Sequence, residues 1–543
     1  MSEPAVPPPP AVSQSIRDGG SRMSSRSARL VRGAILFAIL LAATLLRFHD
    51  ITRHALWGDE LLTLEASAGH AMEHESLGRA GFVEAPDLMT LKHAGPWWRV
   101  ATSLARNDKH PPLYFLIERA WWELAGDSPL ALRSLSLAFS VAAVALLYFA
   151  AEPLVGAASA LWAAALMAFA IPQIHYGQEG RMYALLLALL LASCAVLVRL
   201  EKRGPSWGRA ALLGACLLAM MLTHYFAVAP CAALAVYAAA RIRGRALRQA
   251  AVAAVVAGVI YLIVWGPFFW LGRANLNSFN WWLIDDAPGH VGRTWWKLAL
   301  VPARMLAEPR PSAETAAAIG CVLFVVPALL LRRQPELLLW WLLLVLSPLP
   351  SLVTDLWPPG RKQLEWVRYA LPAAPAVYVL LAALVPRGWR GWRAVLRHAL
   401  PAGALLLCVL NLGAGYAETE NPKPEWRPLA ALIDAHAQPG DVMVFYGTHP
   451  GEAGYAGFYY VALSYYCHRM PRQLLFPTGP ETAPTAEEVA RLRQAPGIWV
   501  VVPWGLHYPP EALAGFAPGP RTGAFLLPSV QRWTPLPATT QSR

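Results

Sequence analysis

Residues 182–199, Met182-Tyr-Ala-Leu-Leu-Leu-Ala-Leu-Leu-Leu-Ala-Ser-Cys-Ala-Val-Leu-Val-Arg199, decide the fold. A run this long and this apolar reads as a membrane-spanning helix. Gln178-Glu-Gly-Arg181 precedes it, and Lys202, Arg203 and Arg209 follow it. Working outward, similar runs lie near 31–46, 129–150, 156–172, 210–223, 225–240, 250–271, 313–331, 336–354, 368–386 and 397–415. Together they predict about eleven spans, some short of the usual ~20 residues. The composition agrees. Of 543 residues, 56% are hydrophobic and 15% charged, against roughly a quarter charged in soluble proteins. That excludes a disordered chain, a coiled coil and an ordinary soluble enzyme.

Basic residues sort the loops. They cluster in the N-terminal tail, at 202–209, at Arg241 to Arg248, at Arg332/Arg333 and at Arg387 to Arg397, which is every second loop. The loop at 151–157 is the weak member, with Glu152 and no base. The positive-inside rule then places the N-terminus in the cytoplasm and the C-terminus outside. The formal charge of +12 is spread this way rather than gathered in one patch, so no nucleic-acid partner is expected. Arg47-Phe48-His49 follows the first run where a signal peptide would carry small residues, so a retained anchor is expected. The expected localisation is a bacterial cytoplasmic (inner) membrane.

The domain reading follows. Residues 1–30, rich in Pro, Ser and Arg, form a disordered cytoplasmic tail. Residues 31–415 form the membrane module, with a long outer loop at 49–127. Residues 416–530 change character. Trp426 to Ala437 and Ala486 to Gln494 read as helices, and Asp441-Val-Met-Val-Phe-Tyr-Gly447 and Ile498 to Pro503 as strands. This alternation predicts a C-terminal extracytoplasmic α/β domain; residues 531–543 are a tail. Only Cys467 of the six cysteines lies outside the apolar runs, and no pair has metal-site spacing.

The acids avoid the centres of the spans and gather in the outer loops. Leu56-Trp-Gly-Asp-Glu60 offers adjacent carboxylates; one can act as a general base, or Asp59 caps the helix that follows. Lys109-His-Pro-Pro-Leu-Tyr114 opens an aromatic, interfacial stretch. There Lys109 meets a lipid phosphate or serves as an anchor. His175-Tyr-Gly-Gln-Glu-Gly-Arg-Met-Tyr183 sets Glu179 and Arg181 in a tight loop. They pair with each other or hold a sugar hydroxyl and a phosphate. Thr223-His-Tyr225 and Arg368-Tyr369 are further polar points.

Asp-Glu in the first outer loop, His-Pro-Pro-Leu-Tyr, Gln-Glu-x-Arg-x-Tyr and a late Arg-Tyr-x-Leu-Pro occur in a fixed order. Over roughly residues 31–386 the chain resembles bacterial C-type membrane glycosyltransferases of family 39. These are related to protein O-mannosyltransferases and the lipid A aminoarabinose transferase. The resemblance implies a GT-C-like polytopic α-helical fold. It also implies inverting transfer of a sugar from a polyprenyl-phosphate donor to a hydroxyl-type acceptor outside the cytoplasm. By motif, Asp59 takes the place of the catalytic base with Glu60 beside it, and Glu179 is the second-loop acid. Lys109, His110, Arg181 and Arg368 are implied at the donor phosphate. Tyr114, Tyr183, His224 and Tyr369 are the candidate substrate contacts. The acceptor, whether lipid, polysaccharide or protein, is open, and membrane lipid is the surrounding partner. No obligatory metal is expected, although Asp59, Glu60, Glu179 and His224 are of a type to ligate a divalent cation. The competing reading is a flippase or transporter of a lipid-linked sugar, which calls for mid-span polar groups. A third reading is a scaffold whose outer clusters do not converge.

Overall fold

The computed structural model describes residues 25–108, 110–272, 284, 287–307, 313–357, 360–384, 391–417, 424–446, 453–478, 484–502, 515–522 and 529–536. Most of the expected tail at 1–30, Lys109, and the ends of the strands expected at 441–447 and 498–503 lie outside these residues.

Apolar composition and length give six full-length spans among the described residues: Arg26–Phe48, Pro129–Val155, Tyr183–Arg203, Gly244–Val264, Pro335–Leu356 and Val395–Gly413. Ala157–Phe169 and Ile171–Gly177 make a seventh if taken together, bent by 61°. Trp207–Met221, Tyr225–Arg241, Ala318–Leu330 and Val367–Ala383 are apolar but shorter. The protein is therefore a multi-pass, mostly helical membrane protein with six or seven full-length spans. The expected count of eleven includes the four shorter helices. Tyr183–Arg203 lies at the centre, with Leu190, Leu191 and Cys194 fully buried against Val144, Leu147 and Ala151 of Pro129–Val155. Gly244–Val264 instead exposes Val255, Val259, Leu262 and Ile263. That patch would be a liability in water and is ordinary against lipid.

The 61° bend has a chemical cause. Pro172 has no N–H to give to the Ala168 carbonyl four residues back, so the first helix cannot run on through it. The chain is extended at Ala170 (ψ 125°), and a new helix starts at Ile171 with the proline in its first turn. The break frees the carbonyls of Met167 and Ala168, and such groups need a partner at membrane depth. Arg47, 0% exposed, supplies it: it donates to Ala168 O at 3.0 Å and Met167 O at 3.1 Å. It also donates to Ser140 Oγ at 2.7 Å.

One end of the bundle carries a six-stranded mixed sheet. Its strands are β1 (Gly81–Glu84), β2 (Val442–Phe445), β3 (Gln473–Phe476), β4 (Ile498–Val502), β5 (Phe516–Thr522) and β6 (Ser529–Pro535), in the order β1-β3-β2-β4-β6-β5. β2 runs parallel to β3 and β4, and the remaining pairs are antiparallel. β2 and β4 are apolar throughout and buried on both faces, as parallel strands covered by helices require. The helices Arg427–His436, Ala453–Tyr466 and Ala486–Leu492 alternate with these strands. β1 comes from the long loop between Glu60 and His110, so the sheet crosses the boundary expected near residue 416. Ala453–Tyr466, β1, β3 and the β5–β6 hairpin were not read from the sequence.

Candidate active site

The site begins where the first span ends. Ile51–Trp57 is an irregular segment leading into the helix Gly58–Ser67. Asp59 and Glu60 occupy its first turn, where acids favour the positive end of the helix dipole. Adjacent helical side chains diverge by roughly 100°, and this separates the two carboxylates.

Glu60 turns inward and is 2% exposed. Arg133 of Pro129–Val155 grips it twice, Nε to Oε1 at 2.7 Å and NH2 to Oε2 at 2.7 Å. Gly180 N donates to Oε1 at 2.9 Å and Trp57 N to Oε2 at 3.2 Å. Four donors fill the acceptor sites of a carboxylate. This corrects the expectation of a catalytic Glu60: its oxygens are committed to holding the loops together. Arg133 is equally committed. Its remaining N–H groups donate to Ile51 O at 2.6 Å, His54 O at 2.9 Å and Ala55 O at 3.0 Å.

Asp59 turns the other way and stays partly exposed. Arg368 NH1 donates to its Oδ2 at 2.9 Å. The Arg368 guanidinium sits among three aromatic faces, 5.0 Å from Trp366, 5.2 Å from Tyr369 and 5.6 Å from Trp57. Such faces favour a cation. Arg181 NH1 donates to the Asp59 carbonyl at 3.0 Å and to Thr63 Oγ1 at 2.8 Å. Burial works against the Arg181 charge, but the fields of Asp59, Tyr183 and Asp108 together outweigh it and hold the guanidinium protonated.

Two histidines close the site. His224 Nδ1 accepts the Phe226 N–H at 3.0 Å, which leaves the ring hydrogen on Nε2. Burial, then the charges of His110, Arg181 and Arg368, push its pKa down to about 3, so the ring is neutral. The His110 ring is 5.9 Å from that of His224, and its Nδ1 meets Asp108 Oδ1 at 2.9 Å. Tyr183 lies 6.2 Å from His224 and 5.4 Å from Tyr176. Tyr369 packs on Phe226 at 5.7 Å. The structure thus brings together Asp59, His110, Arg181, Tyr183, His224, Arg368 and Tyr369.

Glu179 and Tyr114 stand behind this group. Glu179 is buried and its charge acts on Arg133. The Tyr114 hydroxyl pairs with Ser136 Oγ at 2.9 Å, and Ser136 donates to the Arg181 carbonyl at 3.1 Å. Tyr114 is thus linked to Arg181 through Ser136. Asp108, Arg133 and Trp366, which pack into this group, were not singled out from the sequence. For Arg133 the signal was available, since a charged residue inside a spanning helix is a site marker in itself. Among the described residues no group of three His, Cys, Asp or Glu is arranged to hold a metal ion.

Residues 109–270 match the family described as dolichyl-phosphate-mannose-protein mannosyltransferase. The match includes His110, Glu179, Arg181, Tyr183 and His224. The structure of ArnT from Cupriavidus metallidurans in the apo state is similar over 93% of this chain and 98% of that one, with 12% identity and a TM-score of 0.52. The same protein bound to undecaprenyl phosphate is similar over 94% and 98%, with 13% identity and a TM-score of 0.53. The chain has the C-type glycosyltransferase fold. The resemblance to family 39 transferases read from the motifs is thereby shown. No curated protein matches the chain in sequence.

Proposed function

We propose that the protein is an inverting glycosyltransferase of a bacterial inner membrane, moving a sugar from a polyprenyl-phosphate donor to a hydroxyl-type acceptor on the outer face. The observation that carries this is the partly exposed carboxylate of Asp59, held by Arg368 beside Arg181 and a neutral His224.

The chemistry follows from these groups. The acceptor hydroxyl gives its proton to Asp59 as its oxygen bonds to the anomeric carbon. The bond from that carbon to the phosphate oxygen breaks on the opposite face, and the phosphate keeps the electron pair. Charge growing on the phosphate is met by Arg368 and Arg181, with His110 beside them; Lys109 keeps the phosphate role that its motif implies. His224 offers a neutral Nε2–H donor, and Tyr183 and Tyr369 line the sugar. An arriving phosphate offers Arg368 a second anion. Sharing the guanidinium loosens its hold on Asp59 and makes that carboxylate the better base. Glu60 and Glu179 serve through Arg133, fixing the loops. No divalent metal is required, because cationic side chains supply the charge. The ArnT structure bound to undecaprenyl phosphate supports the choice of donor class.

A cavity of about 600 Å³ supports the same reading. It lies between Tyr183–Arg203, Trp207–Met221, Val228–Arg241 and Gly244–Val264, walled by residues such as Leu197, Met221, Val228, Leu234 and Tyr261. Val228 and Met221 flank His224 in sequence, so we assign the cavity to the prenyl chain. The proposed topology has eleven spans, a cytoplasmic N-terminus with the 1–30 tail, and the 416–530 region outside. That region serves acceptor recognition; of the tail expected at 531–543, residues 531–535 are instead part of β6, paired with β4 and β5.

The test is transfer in purified membranes from radiolabelled undecaprenyl-phosphate hexoses, comparing the wild type with Asp59→Asn, with and without chelator. Label should reach an acceptor in the wild type only, chelator or not. Normal transfer by Asp59→Asn would remove the base. Label crossing the bilayer still on its lipid would replace the transferase with a flippase.

A further inference from the structure

The segment Ile51–Trp57, which sets the position of Asp59, is held from two sides. Arg133 holds it from the membrane bundle, as described. Residues of the chain's last part hold it from the other side. The Tyr466 hydroxyl accepts the Leu56 N–H at 2.6 Å. Arg427 NH2 donates to Arg53 O at 2.6 Å and NH1 to Thr52 O at 3.4 Å. Gly58, next to Asp59, backs directly onto the Phe458 ring: a Cβ there would lie 3.3 Å from Phe458 Cζ. Phe458 is braced in turn by Trp426 at 6.1 Å and His74 at 6.4 Å.

The helix that bears Phe458 and Tyr466, Ala453–Tyr466, is itself fixed. Gly457 meets the backbone of the long loop so closely that a Cβ would stand 1.9 Å from His74 O. The Tyr460 hydroxyl donates to Pro86 O and that of Tyr465 to Asp127 O. His74 is locked by Glu65 of Gly58–Ser67, Nδ1 to Oε2 at 2.7 Å and N–H to Oε1 at 3.0 Å. Helix Ala453–Tyr466 is therefore tied to helix Gly58–Ser67 through His74.

We infer that Phe458 and Tyr466 are positioning residues for Asp59: the C-terminal part sets the place of the base, whatever it does with the acceptor. This rests on the proposed function, in which Asp59 accepts the proton. The physical requirement is strict, since a misplacement of about 1 Å can cost on the order of 100-fold in rate. A base at the tip of an irregular segment needs a wall behind it. Phe458 is that wall, and Tyr466 pins the amide that begins the turn.

The experiment uses the full chain in lipid nanodiscs with Tyr466→Phe, Phe458→Ala, Phe458→Leu and Asp59→Asn. Two quantities are read: amide hydrogen exchange over residues 51–61, and kcat and KM with undecaprenyl-phosphate hexose as donor. Phe458→Ala should lower kcat roughly tenfold or more with KM within about twofold. Exchange at 51–61 should rise while that of Tyr183–Arg203 stays at the wild-type level. Phe458→Leu should restore most of both, and Tyr466→Phe should fall between. Unchanged exchange and kcat in Phe458→Ala and Tyr466→Phe would overturn the inference. So would exchange rising through the whole bundle, or a loss confined to KM. If Asp59→Asn proves fully active, the proposed function fails instead, and exchange at 51–61 still reports whether the clamp exists.

Discussion

Asp59 and Glu60 are neighbours with opposite fates, and the cause is one residue of helical rotation. Asp59→Asn should keep the fold and lose about 10²–10⁴-fold in transfer rate, the usual range for a general base; donor-to-acceptor label measures it. Glu60→Ala should act on stability instead. It strands the buried Arg133, and breaking such a pair costs about 3–5 kcal/mol. Unfolding in mild detergent should show the loss, with the membrane level falling alongside. A second buried acid gives a pH signature. Burial pushes Glu118 up to about 8, against a hydrogen bond from Tyr114 and with help from the Glu60 charge. The folded chain thus keeps a proton that the unfolded chain releases near its ordinary value of 4.5. Stability should fall as pH rises from that value to about 8. Glu118→Gln should flatten the slope over that window in unfolding midpoints measured at several pH values. Asp59, Arg181 and Arg368 were legible because each stands in a short polar motif. Arg133 carried its own signal, a charge within a spanning run, but its pairing with Glu60, 73 residues away, was not legible. Nor was the contact of Arg368 with Asp59, which spans 309 residues, although Trp366 and Tyr369 of its cage are its sequence neighbours.

At the scale of elements, spans were legible from hydropathy, but their interruptions were not. The run read at 156–172 is a helix that breaks at Ala170 and resumes beyond it. Pro172 hinted at the break, yet only the fold shows Arg47 filling it. Arg47→Met should leave two carbonyls without their donor at membrane depth, at about 1–3 kcal/mol each. Thermal unfolding should register this. Close approach is the other hidden variable. Gly457 reads as one glycine among many, but its Cβ position collides with His74 O. Gly457→Ala should force the helix Ala453–Tyr466 away from the long loop, an overpacking cost of about 1–3 kcal/mol. It should also reproduce the kinetic defect of Phe458→Ala.

At the scale of the whole molecule, the sequence suggested a membrane module followed by a separate α/β domain. Helix–strand alternation after residue 416 was legible, because β2 and β4 are continuous apolar runs. The edge strand β1 was not, because it is a short segment of mixed polarity inside a loop. Its pairing with β3 joins Gly81–Glu84 to Gln473–Phe476. A chain ending at Tyr416 should therefore not behave as a stand-alone enzyme. It should lose transfer, and the loop at 49–127 should become sensitive to protease, as limited digestion of the membranes would show.

That pairing also has a consequence for biosynthesis. β1 leaves the ribosome early, and its partner β3 is made only after nearly every span has been inserted. The edge of β1 must wait unpaired through most of translation, and such edges invite wrong partners. The loop that bears Asp59 waits with it, for Phe458 and Tyr466. A half-made chain can thus occupy the membrane without a set base. On the proposed function, the base is set only once residues 453–476 have been made, so synthesis of that late segment acts as a step of assembly.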